Sequence, residues 1–219
     1  MPLPPEIESR VAEAEKSSDW ENVIKILQSL QNMKTDDDIS CRLAEAYWHL
    51  MKFTQAKKIF SDVLLRNANV ARAWYGMANV TYGEGFLIGN KKVSNIESLQ
   101  KAAELEPTNK DYVYSYTFQL SQKKEYATEA AFFEKHLKKY PDAANYLYLS
   151  DCYLKLNQPQ KAIEAIRASQ QLDNHFASAY PRLGAAYEAL GKKKEAREIY
   201  KTYLKEHIEK GKSAEKERA

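Results

Sequence analysis

Leu43-Ala44-Glu45-Ala46-Tyr47, Leu149-Ser150-Asp151-Cys152-Tyr153 and Leu183-Gly184-Ala185-Ala186-Tyr187 share one pattern: a leucine, a small residue directly after it, and a tyrosine four positions after the leucine. Nine residues beyond each tyrosine stands an alanine (Ala56, Ala162, Ala196), and four further on a large side chain, Phe60, Ile166 or Tyr200. Tyr153 and Tyr187 are offset by 34 residues, the length of one helical-hairpin repeat. Leucine, small residue and tyrosine at i, i+1 and i+4 fall on one face of a 3.6-residue helix. A small side chain there lets a second helix approach closely, and the later alanine supplies the matching hollow. Between them lie short polar connections, Leu190-Gly191-Lys192 and Leu156-Asn157-Gln158-Pro159, where Gly ends a helix and Pro begins one. Each unit therefore reads as an antiparallel helical hairpin.

Composition agrees. Apolar residues make up 44% and charged residues 29%, with only 7 Gly and 7 Pro, which suits a helical protein better than a disordered or strand-rich one. The net charge of +3 creates no global field of the kind a nucleic-acid binder carries. From Lys192 onward there are 10 Lys/Arg against 6 Asp/Glu, so basic character is confined to the C-terminal end. That tail, residues 211–219 with the run just before it, mixes both signs and lacks aromatics for base stacking. The N-terminus MPLPPEIESR does not resemble a secretory signal, and no run is long enough to span a bilayer. The expectation is a cytoplasmic protein without membrane insertion, with Cys41 and Cys152 as reduced thiols.

The tryptophan or tyrosine, leucine, glycine, tyrosine, alanine, phenylalanine or tyrosine, and proline positions together resemble the tetratricopeptide (TPR) repeat. The last repeat matches best, through Tyr180, Leu183, Gly184, Tyr187, Ala196 and Tyr200. The resemblance implies an all-α fold: a right-handed α–α superhelix of about six hairpins, near 4–34, 36–68, 70–107, 109–141, 143–174 and 177–210. The first unit, with Ile7, Val11, Ala14, Trp20, Val23 and Leu27, keeps the periodicity without most signature residues, as an end cap does. The third begins with Trp74, Met77 and Ala78 and closes with Leu99, Ala102 and Pro107, but holds about five extra residues within 83–90. They place Phe86, Leu87 and Ile88 in a loop, either as a contact site or tucked against the stack. The fourth places Thr117 and Glu129 where small residues belong, which predicts a splayed or shifted hairpin.

In this family the first helix of each hairpin lines a concave groove. The stripe that resemblance selects carries Asp38, Cys41, Arg42, Glu45 and Trp48, then Arg72, Tyr75, Asn79 and Tyr82, then Asp111, Tyr114 and Phe118, then Leu147, Tyr148 and Asp151. Aromatics flanked by Arg, Asn and Asp suit a peptide-binding surface, with large contact area at low entropy cost and a few orienting polar groups. The same tyrosines equally suit packing between neighbouring first helices. Some family members grip a C-terminal carboxylate with Lys, Asn and Arg. Here Asn79 occupies one such position, but Ser115, Ala144 and Tyr148 occupy the others and none is cationic.

Catalysis finds little support. His49, His136, His175 and His207 are scattered without metal-ligand spacing, and the glycines at 83, 85 and 89 form no phosphate loop. The expected function is a non-catalytic adaptor or scaffold, without cofactor or metal, holding a protein or peptide partner. A structural subunit using its convex face and caps, and a secretion-type chaperone for an unfolded client, are the alternatives.

Overall fold

The computed structural model describes residues 3–30, 36–81, 84–173 and 177–216, with the side chains of the last helix as far as Lys205. Among these residues are twelve helices: α1 (Pro5–Lys16), α2 (Trp20–Gln28), α3 (Asp37–His49), α4 (Phe53–Arg66), α5 (Ala71–Thr81), α6 (Asn95–Leu105), α7 (Lys110–Gln122), α8 (Tyr126–Leu137), α9 (Ala143–Lys155), α10 (Pro159–Leu172), α11 (Ala179–Ala189) and α12 (Lys193–Lys216). A two-stranded antiparallel sheet, β1 (Phe86–Ile88) with β2 (Lys91–Val93), lies between α5 and α6. The fold is an all-α solenoid of consecutive packed helix pairs. The chain falls into two compact units, Met1–Gln119 and Leu120–Ala219.

In the first unit, α1 packs on α2, α3 on α4 and α5 on α6, while α3 also meets α2 and α5 meets α4. Val11, Val23, Leu27, Ile39, Leu43 and Ala46 form a continuous core across the first two pairs. Ala44 and Ala56, two of the small residues singled out by the repeat, are fully buried. α4 and α5 approach closely, and a Cβ on Gly76 would collide with the buried Phe60 ring. Helix starts are fixed locally. The Asp36 side chain accepts from the backbone N–H of Asp38 and Ile39, and Ser94 and Glu97 form a reciprocal capping box on α6.

The extra residues of the third repeat form a hairpin rather than a loop. Phe86 pairs with Val93, Leu87 with Lys92 and Ile88 with Lys91. Alternation across the strands sends Phe86 and Val93 inward, so both are buried, and Leu87 outward, 61% exposed. Phe86 stands 6.4 Å from the Trp74 ring, and β1 rests against α4. Of the two readings of this segment, tucking against the stack describes Phe86, exposure describes Leu87, and Ile88 is half-buried.

In the second unit α9 packs on α10 and α11 on α12, while α9 also meets α8 and α11 meets α10. Leu147, Ile166 and Ala179 form a core cluster with Leu183 against it. Ala162 and Ala196 are buried as the repeat requires. Gly184 lies beneath the Tyr200 ring, which fills the space a Cβ would need. Pro159 opens α10 at its first turn, where its missing N–H costs nothing.

One backbone device recurs at the first-to-second helix turn. Ser18, Met51, Lys124, Asn157 and Gly191 all have φ between 55° and 73°. Around each, two hydrogen bonds close the first helix: Asp19 N–H to Ala14 O, Lys52 to Tyr47, Glu125 to Leu120, Gln158 to Tyr153 and Lys192 to Tyr187, at 2.8–2.9 Å, each beside a shorter-range bond from the left-handed residue itself. This is the paired-bond helix stop that glycine favours, since a Cβ there costs roughly 1–2 kcal/mol. Met51 is 70% exposed and contributes little packing, so Met51→Gly is expected to raise stability by about 0.5–1 kcal/mol in urea denaturation. Gly76→Val is expected to lower it by about 2 kcal/mol or more, because the Phe60 ring has no free space to retreat into.

Candidate functional site

The charged members of the first-helix stripe are joined to one another. In the first unit the Arg42 guanidinium, only 8% exposed, donates from Nη1 to Glu8 at 2.7 and 2.8 Å. It also donates from Nε and Nη2 to the two oxygens of Glu15, at 3.1 and 3.0 Å. Arg72 repeats the arrangement one hairpin later, bidentate to Glu45 at 2.6 and 2.5 Å and donating to Asp38 at 2.8 Å. In both cases the carboxylates precede the arginine by 34 and 27 residues, so each arginine ties its own first helix to the preceding one. Burial alone lowers the pKa of both guanidiniums, but the carboxylate bonds outweigh it and hold them above the ordinary arginine value. In the second unit Arg182 of α11 makes a bidentate pair with Asp151 of α9 at 2.8 and 2.7 Å. Arg42, Glu45, Arg72 and Asp151, which the stripe offers to a partner, each pair with a side chain of a neighbouring repeat. Arg182, Glu8 and Glu15 escaped the sequence reading, although for Glu8 and Glu15 the 34- and 27-residue separations from Arg42 were there to find; Arg182 pairs across 31 residues instead.

The aromatic members divide. Tyr75 is half-buried, its ring 4.7 Å from that of Tyr112 on α7, and its hydroxyl oxygen accepts from Ser115 Oγ at 3.4 Å. Burial pushes the Tyr112 phenol up to about 12. Tyr114 and Phe118, one turn apart on α7, are 51% and 45% exposed with rings stacked at 5.7 Å. Trp48 is half-buried, edge-on to His49 at 4.7 Å, and Asn79 is half-buried. Tyr82 lies outside the described residues. Leu147, expected on the groove stripe, is instead 2% exposed in the core with Ile166 and Ala179. At that position the helix turns its apolar face to α10. Tyr148, beside it, is 38% exposed and stacks at 6.2 Å on Phe133.

Glu129 stands where other repeats place alanine, and it is 6% exposed. One carboxyl oxygen, Oε2, has no hydrogen-bond partner. Desolvation pushes this carboxyl up to about 7, against a thiol hydrogen bond from Cys152 that favours the ionised form. Cys41 and Cys152 are both buried and unbridged. Burial pushes the Cys41 thiol up to about 12 and raises that of Cys152 as well, which suppresses thiolate reactivity. Among the described residues no group of three or more His, Cys, Asp or Glu is placed to hold a metal ion, and no helix is long and apolar enough to cross a membrane.

Two segments match tetratricopeptide-repeat family models, residues 143–176 and 179–207, which are the hairpins α9–α10 and α11–α12. These two hairpins are tetratricopeptide repeats. Solved TPR structures share the fold at low identity. The C-terminal part of a TPR repeat-containing protein from Cytophaga hutchinsonii is 17% identical, with a TM-score of 0.67 over 89% of this chain and 77% of that one. YrrB, a TPR protein with an unusual peptide-binding site, is 16% identical, with a TM-score of 0.61 over 81% of this chain and 90% of that one. MamA from Desulfovibrio magneticus RS-1, residues 41 to the end, is 18% identical, with a TM-score of 0.58 over 77% of this chain and 93% of that one. No curated protein sequence matches. TPR repeats serve in general as protein-interaction modules, and these repeats support a protein-interaction scaffold at that general level.

Burial of Glu129 sets the sign of an expected pH dependence of stability. Below about pH 4.5 the carboxyl is protonated in folded and unfolded chains alike. Between 4.5 and about 7 the unfolded chain ionises while the folded one keeps its proton. Over that window stability is expected to fall as pH rises, by on the order of 3 kcal/mol in all, and then to level off. Urea denaturation from pH 5 to 8 is expected to show this slope in the native protein and to lose it in Glu129→Gln; an equal slope in both would place the titration elsewhere.

Proposed function

We propose that this protein is a non-catalytic adaptor whose first-helix stripe in the first unit holds a peptide or helix of a partner protein. The observation that carries the reading is the stacked pair Tyr114 and Phe118, two large rings half in solvent on a rigid helix. Exposed aromatics on a fixed scaffold give contact area at little entropic cost, and interface hot spots are rich in them. Their setting supports the assignment. Tyr75 and Tyr112 pack α7 against α5, while the arginines of α3 and α5 are held by neighbouring carboxylates. The surface is therefore formed before a partner arrives, which lowers the ordering cost of binding.

YrrB provides a precedent for peptide binding in a protein of this fold, at an identity that carries the fold alone. Within the first unit the proposed contact residues are Tyr114 and Phe118 on α7, with Tyr75 and Asn79 on α5 and Trp48 on α3. Tyr148 and Asp151 form the corresponding stripe of the second unit. Leu87, on the hairpin, is a separate candidate contact.

Tyr114→Ala combined with Phe118→Ala tests the reading without disturbing the core, because both rings are largely outside it. The double variant is expected to melt within a few degrees of the native protein. In affinity capture from the native lysate it should lose by at least tenfold a protein that the unaltered chain retains. Equal retention by both would move the partner surface elsewhere, as for a structural subunit docking through its second helices or ends.

A further inference from the structure

Charge on the first unit is divided between its two layers of helices. The first helices, α1, α3, α5 and α7 through Gln119, carry eight carboxylates against five Lys and Arg, a formal net of −3. The second helices, α2, α4 and α6, carry four carboxylates against five Lys and Arg, a net of +1. The imbalance of the first layer is built into the arginine ladder. Arg42 is shared by two carboxylates, and so is Arg72, so each cluster keeps one formal negative charge after its internal pairing. The surplus faces water: Asp38 is 64% exposed and Glu8 48%, while the guanidiniums beneath are 32% and 8% exposed.

This acidic layer is continuous with the aromatic pair. Arg72, held by α3, lies one turn before Tyr75 on α5, and Tyr75 packs on α7 against Tyr112 and Ser115, flanking Tyr114. Aromatic faces attract cations through their quadrupole, and exposed carboxylates attract them through charge. Both features favour one occupant. An acidic partner would meet like charge, at a cost that discriminates against it.

Resting on the groove reading above, we infer that the partner segment is cationic, a Lys- or Arg-bearing peptide with apolar residues between its charges. The apolar residues cover Tyr114 and Phe118, and the cations reach Asp38, Glu8 and the ring faces. Arg42 and Arg72 are not its main contacts, since every guanidinium nitrogen already donates to a carboxylate.

The test uses fluorescence anisotropy with the full chain and three labelled peptides of about twelve residues. One repeats Arg-Leu-Lys-Ala, one replaces the cations with Glu, and one replaces them with Gln. The cationic peptide is expected to bind at least tenfold more tightly than the other two at about 50 mM salt, and to weaken as salt shortens the screening length. Glu8→Gln with Asp38→Asn leaves Arg42 bonded to Glu15 and Arg72 bidentate to Glu45, so the fold is retained. This variant should weaken the cationic peptide about five- to tenfold while leaving the Gln peptide unchanged. Tyr114→Ala with Phe118→Ala should weaken every peptide that binds. Preference for the Gln or Glu peptide, still lost in the aromatic variant, overturns the cationic assignment and leaves the groove reading standing. Cationic binding indifferent to both variants overturns the two together, and no binding by the cationic peptide overturns the charge assignment.

Discussion

Close approach between helices is the constraint on which every other feature depends. At Gly76 and Gly184 a ring from another helix occupies the volume a side chain would need, and the buried alanines at 44, 56, 162 and 196 extend the same tolerance to other contacts. Packing of this density gains its energy from many short dispersion contacts and from apolar area removed from water, and both fall steeply if the helices separate. Because each helix packs chiefly on its chain neighbours, stability accumulates contact by contact along the chain. The stripe residues inherit their positions from this packing. The surface is as rigid as the helices that present it.

The arginine clusters add a second, directional layer to that non-directional packing. Hydrophobic burial sets how closely two hairpins approach but leaves sliding along the helix axis comparatively cheap. A guanidinium fork bidentate to a glutamate tolerates little displacement, because both bonds must lengthen together. Arg42 and Arg72 therefore pin the register of one first helix on the last. Their cost in desolvation is moderated by leaving the carboxylates partly in water. The residual negative charge of the first-helix layer follows from the same geometry.

Much of this was legible in the residues, and the failures have physical causes. The leucine, small residue, tyrosine and alanine positions record which side chains touch between helices, so they revealed the hairpins wherever contact demanded a particular size. The helix stops were legible at Gly191 and Asn157, which suit a left-handed backbone, and invisible at Ser18, Met51 and Lys124, where tertiary packing imposes the same φ on residues that disfavour it. Strand pairing in 86–93 was missed because two three-residue strands carry almost no periodicity. Leu147 illustrates the limit of stripe arguments: a small rotation of a helix decides whether one of its edges meets solvent or a neighbour. Charge pairing across 27 and 34 residues was written plainly, but only a repeat-aware comparison of acids with arginines brings it out.

The hairpin between α5 and α6 is held at one end only. Its two anchors, Phe86 and Val93, lie at the base, while Gly89 at the tip has nothing within 4 Å of a notional Cβ and both tip residues are exposed. Lengthening a solvent-exposed turn adds closure entropy only logarithmically, and here the added chain would project from a paired stem clear of the repeat contacts. Evolution can thus graft a new recognition element onto this repeat without renegotiating a single helix interface.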